Sequence, residues 1–107
     1  MKTVITGTLD FSSTNDVEVD VSDVKSLAAQ FLGSIPGTAI FEGSIGDLAG
    51  NPQWFPLLGT DVDANPVDTM SAAGIFFFNV AVLDKWRVRV NSTGSGTPDY
   101  VIAKSTV

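Results

Sequence analysis

The sequence predicts an all-β fold: an antiparallel β-sandwich, jelly-roll-like, of about eight strands. Apolar and polar residues alternate with a period of two, as in residues 17–21 and 85–91, so apolar side chains share one face of each strand. Clusters of Gly, Pro, Asn, Asp and Ser separate these stretches, as in residues 34–37 and 92–96. Short strands with regular turns and little helix are typical of antiparallel sandwiches and barrels.

Eight candidate strands follow from this pattern. In chain order they are residues 4–8, 17–21, 27–32, 38–41, 53–58, 75–80, 85–91 and 100–104. Residues 23–32 offer a helical alternative, because Val24, Leu27 and Ala28 begin the spacing of a helix face. An internal repeat favours the strand.

The repeat becomes visible when the sequence is shifted against itself by 59 residues, which places Val17 on Phe76 and Leu27 on Trp86. Phe41 then falls on Tyr100. Both halves read as strand, short turn, strand, glycine-rich turn and strand. Two four-stranded halves indicate a jelly-roll-like sandwich.

The inward positions of these strands predict the core between the two sheets. They are Val4, Val17, Val19, Leu27, Phe31, Phe41, Trp54, Leu57, Phe76, Phe78, Trp86, Val88, Val90 and Tyr100.

Length and composition predict a single domain over residues 1–107 that can fold around its own core. Residues 1–10 are expected to form an N-terminal arm that adds a strand to a neighbour, or an edge strand. The N-terminal residues lack the apolar run of a signal peptide, and no stretch is apolar enough to cross a membrane. We therefore expect synthesis in a host cytoplasm without a signal peptide, and no membrane partner.

Composition also bounds the chemistry. The chain has no Cys and no His, which excludes disulfides, thiolate nucleophiles and Ser–His catalysis. Its net charge of −6 and pI near 4.1 disfavour nucleic acid as a partner. We predict no catalytic, cofactor-binding or metal-binding residues and no enzymatic activity.

Two acidic groups were weighed against that expectation. Asp16, Glu18 and Asp20 share one strand face, where they form either a solvated face or, much less favoured, a glycosidase carboxylate pair. A second group begins like a calcium loop but has Pro66 where such a loop needs Gly. It contains Asp61, Asp63, Asn65 and Asp68, and a polar loop is the default interpretation.

Side chains predicted to bind a partner are aromatic or basic. Trp54 and Phe55 lie on opposite faces of one candidate strand, and Phe77 opposes its two neighbours, so part of this set is either an exposed apolar patch or a second buried face. A basic stripe on another strand either contacts an acidic neighbour or pairs across strands within the domain. The full set is Trp54, Phe55, Phe77, Lys85, Arg87 and Arg89.

Several segments resemble small β-sandwich modules of tailed-bacteriophage virions, among them capsid decoration (cement) proteins. They are GTAIFEGS at 37–44, QWFPL at 53–57, GIFFFNV at 74–80, DKWRVRV at 84–90 and SGT at 95–97. The resemblance implies a non-enzymatic structural protein at the capsid surface of a virion. Its implied partners are the major capsid protein and copies of itself as a homo-oligomer. The alternative is a carbohydrate- or receptor-binding module of a phage tail or head fibre.

Overall fold

The computed structural model describes all residues, 1–107, and contains strands but no helix. There are thirteen strands: β1 (Lys2–Thr8), β2 (Asp16–Asp20), β3 (Ser26–Leu32), β4 (Thr38–Ser44), β5 (Asp47–Leu48), β6 (Asn51–Pro52), β7 (Phe55–Pro56), β8 (Gly59–Thr60), β9 (Pro66–Val67), β10 (Thr69–Met70), β11 (Gly74–Asn79), β12 (Lys85–Ser92) and β13 (Asp99–Ser105). A helix long and apolar enough to cross a membrane is not present.

The strands form two main sheets. Sheet A has the order β1-β13-β3-β11-β8-β9, and sheet B has the order β10-β4-β12-β2 with β7 beside β4. Within the set β1–β4 and β10–β13, the first strand pairs with the last, the second with the next to last, and so inward to β4 and β10. A long hairpin rolled in this way is a jelly roll. The predicted fold class is therefore confirmed.

The register of the pairs contains the internal repeat. Asp20 pairs with Lys85 between β2 and β12, and Asn79 pairs with Ser26 between β11 and β3, which is the same pairing shifted by 59 residues. The third strands deviate: Ser44 and Ser105 occupy equivalent places, so the shift there is 61 residues. Phe41 consequently corresponds to Ile102 and not to Tyr100, as the sequence comparison had it.

Seven of the predicted strands are present with bounds shifted by at most a few residues, and residues 26–32 form a strand and not a helix. The prediction over residues 53–58 is wrong, because only Phe55–Pro56 is strand there. Pro52 and Pro56 have no backbone N–H to donate to a ladder, which restricts this region to two-residue pairings.

The core lies between the sheets and is built around aromatic rings. The ring of Phe41 lies 4.8 Å from that of Phe78, 5.3 Å from Phe76 and 6.1 Å from Trp86, measured between centroids. Pairs at these separations add to the apolar burial. Most predicted core residues are buried or pack against the core, but Trp54 is only half-buried.

Val4 is an error in the predicted core. Its side chain is 52% exposed on the outer face of sheet A, while Ile5 packs against the core. Strand residues alternate between faces, so an assignment that is wrong by one residue reverses the side.

Residues 2–8 pair with β13 along their whole length and form an edge strand of sheet A. The N-terminal ammonium of Met1 also donates a hydrogen bond to Thr106 Oγ1 at 2.9 Å. In this structure the segment belongs to its own sheet and does not project as an arm.

Candidate partner-binding surfaces

The outer face of sheet B is a layer of paired charges. Strand β12 lies between β2 and β4, so each basic residue of β12 has a neighbour on both sides. The rows across β2, β12 and β4 are Asp20–Lys85–Ser44, Glu18–Arg87–Glu42 and Asp16–Arg89–Ile40. Opposite charges at such cross-strand positions stabilise a sheet.

Glu42 is the centre of this layer. Its Oε1 atom accepts hydrogen bonds from Arg87 Nε at 2.8 Å and Arg89 Nε at 3.0 Å, and Arg87 Nη2 lies 2.7 Å away. Burial alone raises the pKa of Glu42, but the hydrogen bonds and charges of Arg89 and Arg87 outweigh it and hold the pKa below its usual value. Glu42 is thus a nearly buried carboxylate that is charged and fully engaged.

Trp54 completes the layer from above. The guanidinium carbon of Arg87 lies 4.1 Å from the centroid of the Trp54 ring, a cation–π contact. Arg87 Nη1 also lies 3.5 Å from Asp16 Oδ2. The structure therefore shows the predicted basic stripe engaged within the domain, the alternative of cross-strand pairing.

Lys85 faces Asp20 across the strands. The pKa of Asp20 is lowered chiefly by a hydrogen bond from the Ser22 backbone N–H, and to a smaller extent by the charges of Lys104 and Lys85. Asp20 therefore holds a turn and also neutralises part of the lysine charge.

The structure divides the predicted aromatic set between two surfaces. Phe55 pairs with Gly43 at the margin of sheet B and is 37% exposed. Phe77 lies on the outer face of sheet A and is 43% exposed. Trp54, Phe55 and the basic stripe thus belong to one side of the sandwich, and Phe77 belongs to the other.

The outer face of sheet A is apolar where sheet B is charged. One row of paired residues crosses four neighbouring strands, β1, β13, β3 and β11, and consists of Val4, Ala103, Ala28 and Phe77. The next row, two residues along each strand, is polar: Lys2, Ser105, Ser26 and Asn79.

These rows border a groove of about 830 Å³. Phe77, Leu58 and the small side chains Ala28 and Ala103 provide its apolar lining. Three lysines also line it, Lys2, Lys25 and Lys104, and no carboxylate does. We call this feature the sheet A groove.

Sequence reasoning missed the groove and also missed Glu42 as the partner of the arginines. A signal existed for both. Outward positions of β3 and β13 hold Ala28 and Ala103 where a solvated strand normally carries polar side chains. Glu42 alternates with the buried Phe41, which places it on the same outer face as Arg87.

The acidic loop that began like a calcium site is organised by its own backbone. Asp61 Oδ1 accepts the N–H groups of Asp63 at 2.9 Å and Asn65 at 3.0 Å. The bond from Asn65 is the main reason why the pKa of Asp61 is lowered. Three or more acidic side chains do not gather anywhere in the chain in a way that could hold a metal ion.

Comparison with solved structures adds the last observation. The fold is shared with two prophage proteins. The SPBc2 prophage-derived protein YomS is 19% identical, matches 98% of this chain and 96% of its own, and has a TM-score of 0.72. The PBSX exported protein XepA is 15% identical and matches 96% of this chain with a TM-score of 0.73.

This chain spans only 38% of the length of XepA. At these identities the likeness concerns the fold. The sequence matches no protein-family model and no curated protein sequence.

Proposed function

We propose that this chain is a non-enzymatic structural protein of a bacteriophage virion, which decorates and stabilises the capsid through protein–protein contacts. The observation that carries the proposal is the likeness in fold, over nearly the whole of both chains, to the prophage-derived protein YomS. The proposed location is the capsid surface. The proposed partners are the major capsid protein and further copies of the chain in a homo-oligomer, without a cofactor and without nucleic acid or membrane contacts.

The exposed apolar face of sheet A supports a role in protein contacts. Large exposed apolar patches on small domains mark interaction sites. A stable interface needs roughly 800 Å² on each partner, and an extent of 34 × 33 × 24 Å gives one sheet face enough room for it. A rigid module of this kind acts mechanically, by joining neighbouring capsid subunits and adding buried area across their joints.

The alternative, a carbohydrate- or receptor-binding module, has weaker support. Its main candidate ring was Trp54, and the Arg87 guanidinium covers one face of that ring. A sugar stacking on that face would have to displace a cation that is also bound to Glu42.

Deletion of the gene from a phage that carries it tests the proposal. We expect wild-type virions to contain this chain at a copy number comparable to that of the major capsid protein. Virions lacking it should release DNA at a lower temperature or lower osmotic stress. Virions of equal heat stability with and without the chain would contradict the proposed role, as would a copy number of only a few per particle.

A further inference from the structure

The sheet A groove has a charge opposite to that of the molecule around it. The chain carries 12 acidic and 6 basic residues. Three of the 6 basic residues, Lys2, Lys25 and Lys104, line the groove, and none of the 12 acidic residues does. A locally cationic groove on an anionic protein attracts anionic partners and repels other acidic surfaces less than the rest of the molecule does.

The groove lysines are not neutralised by ion pairs. All three ion pairs of the molecule belong to Arg87 and Arg89 on sheet B. Lys104 Nζ donates a hydrogen bond at 3.0 Å to the backbone carbonyl oxygen of Asp20, which leaves its charge uncompensated by that bond. The carboxylate of Asp20 is the acidic group near Lys104, and the Ser22 N–H and hydroxyl already occupy its Oδ1 atom.

The apolar and polar parts of the groove are adjacent. The apolar row that ends at Phe77 and the polar row that begins at Lys2 are two residues apart on every strand, which is about 7 Å. A ligand that fits both rows therefore has an apolar part and an anionic group within roughly that distance of each other.

We propose that the sheet A groove binds an acidic peptide segment of another virion protein, in which apolar side chains alternate with or adjoin carboxylates. The apolar side chains pack on Phe77, Ala28 and Ala103. The carboxylates pair with Lys2, Lys25 and Lys104. The inference rests on the proposed function for the source of the peptide, while the binding site itself stands on the groove.

Two other occupants fit the groove less well. Sugars present many hydroxyl donors, and a groove without a carboxylate offers few strong acceptors for them. A bilayer surface is flat, whereas the apolar residues here line a recess of about 830 Å³. A peptide chain can place single side chains in such a recess.

A defined probe tests the site. The probe is an acetylated and amidated octapeptide of alternating Leu and Glu, titrated into isotopically labelled protein and followed by NMR. We expect shifts concentrated at Phe77, Ala28 and Ala103, and binding that weakens at least tenfold between 0.05 and 0.5 M NaCl. An octapeptide of Leu and Lys should not bind.

Variants separate charge from fold. The triple variant Lys2→Gln, Lys25→Gln, Lys104→Gln should weaken probe binding at least tenfold, as should Phe77→Ser. The matched control Lys85→Gln removes the same kind of charge from sheet B and should change the affinity less than twofold. Because Lys104 also bonds the Asp20 carbonyl, the double variant Lys2→Gln, Lys25→Gln repeats the test without touching that bond.

Several results would overturn the site. They are shifts that map to Trp54 and sheet B, equal loss in Lys85→Gln and the triple variant, or preferential binding of glycans or anionic phospholipid vesicles in the same groove. Self-association through the groove that excludes the probe would also contradict it.

Capsid binding distinguishes this inference from the proposed function. If capsids lacking the chain bind the wild type and the triple variant equally, the groove proposal fails and the decoration role survives. If the probe binds in the groove but the chain is absent from virions, the decoration role fails and the peptide site survives.

Discussion

Around Glu42, one carboxylate oxygen accepts hydrogen bonds from two arginines, and one of those arginines covers Trp54. Removing a nearly buried partner leaves the remaining charges without compensation, which costs more than the pair itself contributes. The two arginine guanidinium groups are therefore held close together only because Glu42 lies between them.

Glu42→Gln should destabilise the fold by about 2 kcal/mol at pH 7, because Arg87 and Arg89 lose their anionic acceptor. Glu18→Gln is the matched control: Glu18 lies opposite the same Arg87 but is exposed, and we expect little change. Urea unfolding measures both. Equal stability of the two variants would show that the Glu42 pairs contribute nothing.

Alternation along β12 predicted which residues share a face, but alternation does not contain the identity of the partner. The sequence therefore predicted Lys85, Arg87 and Arg89 as one stripe and left open whether that stripe is bound from outside or within. The answer depends on the neighbouring strand β4, which brings Glu42 beside Arg87 and is 45 residues away in sequence.

At the scale of the element, the long strands were predictable because each carries its own alternating pattern and ends in turn residues. The region between β4 and β11 was not, because its six strands have only two residues each and show no period. Such strands are held by their neighbours. Gly59 shows how: a Cβ placed there would lie 2.4 Å from Phe78 Cε1.

Gly59→Ala should destabilise the fold by about 1–3 kcal/mol, the usual range for overpacking. The added methyl group pushes β8 away from β11, and β8 lines the sheet A groove. NMR shifts should spread to Phe77 and Thr60. Gly46→Ala is the control, since a Cβ at Gly46 has no neighbour within 4 Å, and unfolding midpoints of the two variants make the comparison. A stable Gly59→Ala variant would refute the close packing.

Deletion of residues 1–8 tests whether β1 is part of the sheet. Strand β13 would then become the edge of sheet A with its N–H and C=O groups unpaired, so we expect lower stability and association that increases with protein concentration. Thermal unfolding and size-exclusion chromatography are the measurements. Val4→Ser, which changes only an exposed side chain, should affect neither. A deletion variant as stable as the whole chain would restore the arm hypothesis.

For the whole molecule, the repeat predicted the architecture because a jelly roll is itself two equivalent halves. What the repeat could not predict is the difference between the two outer faces. Equivalent strands β3 and β12 present Ala28 and Arg87 at matching positions, so one sheet is apolar outside and the other is charged. A pattern of strand, turn and strand is the same for either choice of side chain.

The stability of the whole chain should decline in acid and stay level near neutrality. In the folded chain the pKa values of Asp10, Asp20, Glu42 and Asp61 are all lowered. Backbone N–H groups are the main cause for the three aspartates, and for Glu42 the arginines outweigh the effect of burial.

The sign of the effect follows from proton binding. At a pH between the folded and unfolded pKa values, the unfolded chain binds more protons, so stability increases with pH there. The contribution is complete above the ordinary values of 3.8 for Asp and 4.5 for Glu, and is lost as the pH falls through the lowered values. No histidine titrates between about pH 5 and 8.

Calorimetry from pH 2 to pH 8 should therefore show a constant Tm above about pH 5.5 and a steady fall below about pH 4.5. The difference in stability between wild type and Glu42→Gln should shrink over the same acid range, because protonation of Glu42 removes the charge that the variant lacks. A Tm that rises below pH 4, or a difference that stays constant there, would show that these carboxylates are not stabilised in the folded chain.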